Sequence, residues 1–248
     1  MWLILCDPND ESAHWAYEQF KRRGYGPVEL VLDNQLVDFS TSWEHRLGRN
    51  GVQANFRLAD GRQFHNQELR GVLNRILFVP QDNLSLMKVE DRPYVQEELN
   101  AFFMSWLYSF SGSVLNVCTP YGLSGRHRHI SEWVWLAQQA GLPVSTYQQS
   151  SQGAVQGTFT HPRLPQPQGA LVRNLIAIDG VVVDDAIPSN IQKGCFHLAS
   201  LCQTRLLGID FFVDYQQQWS FAGATTYPRF HIAGERLVDQ LARALQMI

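Results

Sequence analysis

The sequence predicts an α/β fold that starts with a β-α-β unit and continues into an α+β C-terminal portion. A short apolar run, Trp2–Cys6, is stopped by polar residues, as in a buried strand. Asn9 or Asp10 can cap the next segment, which is predicted to be helical through Arg23 because its apolar residues recur at helical spacing. Val28–Leu32 then predicts a second strand, and a right-handed crossover makes the two strands parallel.

The remaining elements of the first half follow from local patterns. Asn55–Phe64 predicts a hairpin, because Asp60-Gly61 supplies a turn between two strand-like runs. Val72–Arg75 and Val114–Asn116 predict strands that end in polar side chains. The segment from Arg92 to Phe110 predicts the longest helix, because its apolar residues form a wide stripe.

The second half alternates helices with hairpins. Ser131 is predicted to cap a helix that runs from Glu132 to Ala140. Residues 148–169 are rich in Gln, Ser, Gly and Pro, a composition typical of a loop. The last predicted elements are a hairpin over 171–184, a helix over 193–207, a hairpin over 206–228 and a helix over 234–247. We therefore expect two domains, residues 1–120 and 121–248.

Composition argues against several classes of partner. The chain has 248 residues and a formal net charge of −3, which gives no electrostatic reason to bind nucleic acid or an anionic membrane. The N-terminus lacks the basic region of a signal peptide, and the longest apolar run, Ala101–Phe110, is too short to span a bilayer. We expect a cytoplasmic protein.

The cysteine pattern agrees with a reducing compartment. The 4 cysteines show no C-x-x-C spacing, and we interpret them as buried free thiols. A nucleophilic role for Cys118 beside His129 is disfavoured, because no third group is placed to orient the base.

Four segments, in this order, resemble the ATP-grasp superfamily, and more narrowly the RimK-type ligases and their relatives that modify ribosomally made peptides. They are the β-α-β start, the strand over 71–75 with its following helix, the strand over 114–116 with the later Gly141-Leu142-Pro143, and the hairpin over 206–228. The resemblance implies that the β-α-β start is a pre-ATP-grasp domain. It also implies that the last hairpin holds magnesium between the ATP phosphates, with Asp210 as its first acid.

This sequence departs from the pattern of that family at the hairpin and before it. Counting back from Pro228, Thr225 stands where the family has Asn, and Gly223 stands where it has Glu. The family also has a β-rich lobe with a phosphate-binding lysine between Pro143 and Leu171, whereas this interval is short and contains no lysine. We therefore expect a truncated, degenerate ATP-grasp-like portion, because magnesium needs two or three hard oxygen ligands besides phosphate.

Polar side chains at strand ends are the first candidate ligand-binding residues. Asn74, Arg75 and Asn116 follow apolar strands, and open α/β sheets bind ligands at the carboxyl ends of their strands. Ligand binding and simple strand termination are both open for these residues. We expect the Arg75 guanidinium to emerge at this edge and to meet a carboxylate of a ligand, a peptide, or Glu97 or Glu98.

A basic stretch before the helix at 132 gives two further candidates. Arg126 and Arg128 can bind phosphate or carboxylate near the N-terminus of that helix, and a solvated basic loop is the alternative. Asp210 completes the candidate set. No catalytic residue and no metal ligand set is predicted, because His127 and His129 have no suitably spaced partner.

These observations favour a non-catalytic accessory or binding protein. We expect the scaffold to recognise a peptide or a partner enzyme in peptide or natural-product modification. We expect no cofactor, and both homo- and hetero-oligomers are open. Trp106, Tyr108, Trp133 and Trp135 are candidate anchors, although core packing competes for them. The alternative is an active Mg-ATP-dependent carboxylate–amine ligase that uses Asp210 and arginines. A small-molecule binder in the cleft formed by Asn74, Arg75 and Asn116 is a third hypothesis.

Overall fold

The computed structural model describes residues 1–38, 40–49, 51–80, 87–110, 112–148, 163–184 and 186–248. These residues form two compact units, Met1–Arg126 with Val238–Ile248, and His127–Leu237. Up to residue 126, the described helices and strands are, in chain order, β1 (Trp2–Cys6), α1 (Glu11–Arg22), β2 (Val28–Leu32), α2 (Asp33–Leu36), β3 (Ser42–Gly48), β4 (Gly51–Arg57), β5 (Gln63–His65), β6 (Gly71–Arg75), α3 (Arg92–Tyr108) and β7 (Ser113–Leu115).

The β-α-β start of the first unit is confirmed. Strand β1 pairs in parallel with β2 on one side and with β6 on the other, and the sheet order is β2-β1-β6-β7. Asp10 caps α1, because its Oδ1 accepts hydrogen bonds from the N–H groups of Ser12 and Ala13 at 3.0 and 3.1 Å. Four parallel strands thus bring the ends of β1 and β6 side by side.

A three-stranded antiparallel sheet, ordered β3-β4-β5, belongs to the same unit. The predicted hairpin at Asp60-Gly61 is confirmed: β4 pairs with β5, and the N–H of Leu58 donates to the Arg62 carbonyl at 2.9 Å. Its apolar face carries Phe56 and Phe64, which are buried in one core cluster with Trp106 of α3. Strand β3 is an addition to the elements that the sequence predicts.

The C-terminal residues of the chain belong to the first unit. The indole Nε1 of Trp2 donates to the Leu245 carbonyl at 2.8 Å, and the Ser113 hydroxyl donates to the Ala244 carbonyl at 2.6 Å. Asp239 accepts from Arg23 and from the Tyr25 hydroxyl. These contacts connect residues 238–248 to β1, β7 and the end of α1. The division of the chain into domains at 1–120 and 121–248 stays a prediction.

The elements that follow residue 126 are α4 (Ile130–Gln139), β8 (Leu171–Ile178), β9 (Val181–Val182), α5 (Ser189–Leu201), β10 (Leu206–Val213), β11 (Trp219–Thr225), α6 (Phe230–Ala233) and α7 (Glu235–Ala244). The sheet of the second unit is antiparallel in the order β11-β10-β8-β9, so both predicted hairpins are confirmed. Helix α5 begins earlier and ends earlier than the predicted 193–207, because Leu206 and Leu207 lie in β10.

Two further predictions concern the loop over 148–169 and membrane-spanning segments. Residues 149–162 of the predicted loop lie outside the described residues, and residues 163–169 contain neither helix nor strand. None of the helices in the described part of the chain has the length and apolar character that a bilayer crossing requires.

Candidate functional site

Asp210 lies in the middle of the second unit's sheet. Strand β10 runs between β8 and β11, so that Asp210 is opposite Asn174 on one side and Gly223 on the other. The pairing with β11 shifts register between Asp210 and Phe211, as at a β-bulge. A bulge changes the direction of the neighbouring side chains, so the hairpin is irregular at Asp210.

Both carboxylate oxygens of Asp210 are engaged by side chains of the same unit. The amide nitrogen of Asn174 donates to Oδ1, and Nε of Arg163 donates to Oδ2. The side chain of Asp210 is 14% exposed and that of Arg163 is 29% exposed. In such partial burial a charge-assisted hydrogen bond is less screened than at the surface, so the arginine neutralises this carboxylate effectively.

The facing strand supplies no second acid. Gly223 has no side chain to offer, and Thr225 Oγ1 accepts a hydrogen bond from the Tyr227 N–H at 3.0 Å. Pro228 also packs closely on β10, because a Cβ added at Gly208 would lie 2.9 Å from Cβ of Pro228. The hydroxyl of Thr225 therefore supports the turn before the proline.

The donor set around Asp210 does not fit a magnesium-nucleotide site. Magnesium prefers several oxygen ligands in octahedral geometry, and here one carboxylate is opposed by a fixed positive charge. Among the described residues there is no group of three or more His, Cys, Asp or Glu side chains that is arranged to hold a metal ion.

In the first unit, Asn74 and Asn116 come together in a buried network. Asn74 is 1% exposed, and its Nδ2 donates to the carbonyls of Leu123 and Asn116 at 2.6 and 3.4 Å. Its own carbonyl accepts from the Ser124 hydroxyl at 2.7 Å. These bonds join the end of β6 to the segment after β7, and each of them is internal to the unit.

The expected emergence of Arg75 at the sheet edge is corrected by the structure. Its side chain is 2% exposed, and its Nε and Nη2 donate to the two carboxylate oxygens of Asp10 at 2.5 and 3.1 Å. The carboxylate in contact is thus Asp10, where we expected a ligand, Glu97 or Glu98. The physical reason is that parallel pairing places Cys6 beside Arg75, so the segment after β1 runs next to the guanidinium.

The two candidate arginines before α4 have different environments. Arg128 is largely buried, with its Nε donating to Glu132 Oε1 at 3.1 Å and its guanidinium 5.1 Å from the Trp133 ring. Arg126 is exposed and lies 5.2 Å from the Tyr121 ring. The Arg128 guanidinium is thus held by its neighbours, whereas the Arg126 side chain is exposed.

The predicted cap of α4 is also corrected. The N-cap residue is His129, whose Nδ1 accepts from the Ser131 N–H at 3.3 Å. Ser131 lies within the first turn, and its hydroxyl is 2.8 Å from the same ring nitrogen. A histidine that caps a helix in this way is held by local contacts.

The cysteines are free and buried, as expected. Burial raises the pKa of Cys6 and of Cys195 to about 12, and that of Cys118 to about 11. A thiol with so high a pKa stays protonated at neutral pH, which makes it a poor nucleophile.

Sequence patterns missed four residues of these networks: Asp10 as an ion-pair partner, Ser124, Arg163 and Asn174. Arg163 is the only Arg or Lys between residues 148 and 169, and that isolation is the signal that singles it out. Asn174 interrupts the apolar residues of β8 directly opposite Asp210, a signal that requires the register. Asp10 and Ser124 carry no local signal, since their partners lie 65 and 50 residues away.

Comparisons with known proteins identify the fold of this chain. The chain matches no protein-family model and no curated protein. It is similar in structure to the macrocyclase MdnC from Microcystis aeruginosa MRC, solved with precursor peptide MdnA, at 13% identity, a TM-score of 0.73 and coverage of 99% of both chains.

Two other solved structures support the same assignment. A RiPP-associated ATP-grasp ligase from Chryseobacterium gregarium, solved with ADP and a leader and core peptide, has 10% identity and a TM-score of 0.68 over 99% of this chain and 96% of that one. The ATP-grasp ligase PsnB, with a precursor variant, Mg and ADP, has 16% identity and a TM-score of 0.67 over 98% of both. The resemblance seen in the sequence is confirmed at the level of the fold: this chain has the fold of the ATP-grasp ligases.

Proposed function

We propose that this protein is a non-catalytic accessory or binding protein, which uses the ATP-grasp scaffold to recognise a peptide or a partner enzyme during peptide modification. The observation that carries the proposal is the environment of Asp210. Both oxygens of its carboxylate are engaged, one by the Arg163 guanidinium and one by the Asn174 amide. The charge that a metal ion would neutralise is already neutralised by the chain itself.

The size of the expected catalytic loss supports this proposal. Phosphoryl transfer depends on positioning and charge neutralisation, and the loss of one electrostatic element can cost about 100-fold in rate. Here Gly223 and Thr225 replace two expected ligands, and Thr225 already accepts a hydrogen bond in the turn. Asp210 is the third expected ligand, and Arg163 places a positive charge beside it. The combined deficits would leave little useful turnover.

A peptide partner is supported by the structural neighbours and by exposed aromatic residues. MdnC and the Chryseobacterium ligase were both solved with peptides. Of the four expected anchors in this chain, Trp106 and Trp133 are buried in the cores, whereas Tyr108 and Trp135 are 56% and 58% exposed. Of these four, Tyr108 in the first unit and Trp135 in the second therefore remain available for contacts.

The competing proposal is an active ATP-dependent ligase. It is favoured by PsnB, which was solved with Mg and ADP, and it would use Arg163 to neutralise phosphate. An arginine that is held by Asp210 has part of its donor set engaged, and its planar fork is a poor substitute for a lysine point charge.

Thermal unfolding distinguishes the two proposals, because a ligand that binds only the folded state raises the melting temperature. We expect a precursor peptide, or a peptide-modifying enzyme that is the partner of this protein, to raise the melting temperature. We expect Mg-ATP to leave it unchanged. A rise with Mg-ATP alone, together with ADP release in the presence of the peptide, would favour the ligase.

A further inference from the structure

Strand β3 forms the outer edge of the antiparallel sheet in the first unit. The sheet order is β3-β4-β5, so one side of β3 pairs with β4 and the other side has no strand partner among the described residues. The strand is seven residues long, and it exposes large apolar side chains: Trp43 is 48% exposed and Leu47 is 69% exposed. Long apolar edge strands are templates for pairing with another chain.

The register of β3 with β4 determines which backbone groups face the open edge. Gly48 and Gly51 are paired with only two residues between them, so this pair must exchange both hydrogen bonds. Because bonded and non-bonded pairs alternate, the even-numbered residues of β3 bond to β4. The N–H and C=O groups of Trp43, His45 and Leu47 therefore point to the open edge.

Hydrogen bonds on the other side of β4 agree with this alternation. The N–H of Ala54 donates to Asn66 Oδ1 at 3.0 Å, and the N–H of Leu58 donates to the Arg62 carbonyl at 2.9 Å. Even-numbered residues of this strand thus face away from β3. Odd-numbered residues of β4 are paired with even-numbered residues of β3, as the register requires.

The two faces of β3 carry different side chains. The Trp43 ring stacks on Phe102 of α3 with 3.9 Å between centroids, and the His45 ring meets the same phenylalanine edge-on at 5.7 Å. Leu47 shares this face by alternation. Glu44 and Arg46 share the opposite face, where Nε of Arg46 donates to Glu44 Oε1 at 2.8 Å.

We propose that β3 pairs with β3 of a second copy of this chain, antiparallel about a two-fold axis at His45, to form a six-stranded sheet. In this register each Glu44 is opposite the second copy's Arg46, and each Trp43 is opposite the second copy's Leu47. The residues whose backbone groups point outward, Trp43, His45 and Leu47, are then paired with one another and can exchange hydrogen bonds. The strand is complementary to itself in charge, in apolar contact and in backbone bonding.

Charge selects this register over its neighbours. A shift by one residue pairs outward-facing residues with inward-facing ones, which breaks the hydrogen bonding. A shift by two residues in one direction places Glu44 opposite the second copy's Glu44. A shift by two residues in the other direction places Arg46 opposite the second copy's Arg46. Like charges directly opposite each other are destabilising, so the register centred on His45 is favoured over both of these shifts.

A charge swap tests the dimer. In sedimentation equilibrium we expect the wild-type protein to dimerise as its concentration rises. Glu44→Arg alone and Arg46→Glu alone should each weaken the dimer about ten-fold or more, because two-fold symmetry creates two like-charge contacts at once. The double variant should dimerise like the wild type. The two single variants, when mixed, should form a heterodimer.

Glu18→Arg on the exposed face of α1 is the matched control, since it makes the same change in charge away from β3. It should dimerise like the wild type, and circular dichroism should show that each variant is folded. A wild-type protein that stays monomeric, or a dimer that neither single variant weakens, would overturn the proposal. So would a monomer whose β3 amides gain exchange protection only from an added extended peptide, which would assign the edge to peptide binding.

Discussion

Arg75 and Asp10 show how one residue can serve two elements at once. Asp10 Oδ1 accepts from the first N–H groups of α1, and the same carboxylate accepts two bonds from Arg75 at the end of β6. Both side chains are almost completely buried, at 2% and 3% exposure. Removing one partner of such a pair leaves an uncompensated buried charge, which costs far more than the pair contributes.

We therefore predict that Arg75→Met lowers the free energy of unfolding by about 3–5 kcal/mol, measured by urea denaturation. Arg173→Met is the matched control, since it removes an Arg–Asp pair whose side chains are 46% and 25% exposed, and should cost less than about 1 kcal/mol. Equal small losses in both variants, with weaker peptide binding only for Arg75→Met, would instead assign Arg75 to a ligand.

The Arg163–Asp210 pair gives a second prediction at this scale. Arg163→Met should lower the free energy of unfolding at neutral pH by about 1–3 kcal/mol, because the Asp210 carboxylate loses a charged donor in a partly buried site.

Arg205→Met is the control for this pair, since it breaks the more exposed pair with Asp179, with side chains 37% and 36% exposed. It should cost less than about 1 kcal/mol. A deficit for Arg163→Met that is equally small would show that the arginine does not neutralise Asp210.

Among the elements, close packing at Gly194 links α5 to the turn after α4. A Cβ at this position would lie 2.3 Å from Cδ2 of Leu142, which follows that turn. Leu142 is 4% exposed and belongs to the same core cluster as Ile191 and Leu198 of α5. The helix can approach this closely only because residue 194 has no side chain.

We predict that Gly194→Ala destabilises the protein by about 1–3 kcal/mol in urea denaturation, although alanine is the better helix former. Gly48→Ala is the control, because nothing lies within 4 Å of its added Cβ. It should change stability by less than about 1 kcal/mol. A Gly194→Ala variant that gains stability would show that Leu142 can move aside and that the contact is not constrained.

The elements also show what the sequence could predict. The hairpins at Asp60-Gly61 and around β10 follow from turn residues and alternation, which are local signals, and both are present. The alternation of apolar and polar residues over Trp43–Leu47 is a local signal of the same kind, and it could have predicted strand β3. Helix α5 begins before the predicted residue 193, because its N-cap residue is Pro188, which makes no side-chain capping hydrogen bond. The Arg163–Asp210 pair spans 47 residues and is set by tertiary structure.

In the molecule as a whole, the C-terminal residues complete the first unit. Val238, Leu241, Ala242 and Leu245 are at most 1% exposed, and the Leu245 carbonyl accepts from the Trp2 indole. Burying each leucine or valine contributes about 1.5–3 kcal/mol, so together they approach the total stability of a typical domain.

We predict that removing residues 238–248 abolishes cooperative unfolding, as measured by thermal melts followed by circular dichroism. Removing only residues 247–248 is the control, since Ile248 is 59% exposed and should contribute little. A long truncation that melts cooperatively near the wild-type temperature would mean that the first unit folds without this segment.

We propose that an internal ion pair at Asp210 stands where ATP-grasp ligases hold a metal-nucleotide complex. Isothermal titration calorimetry with Mg-ATP tests this claim most directly. We predict no saturable heat at physiological millimolar concentrations, because Arg163 already neutralises the carboxylate and β11 offers no second acid. Micromolar binding of Mg-ATP that is lost in the Asp210→Asn variant would contradict the account.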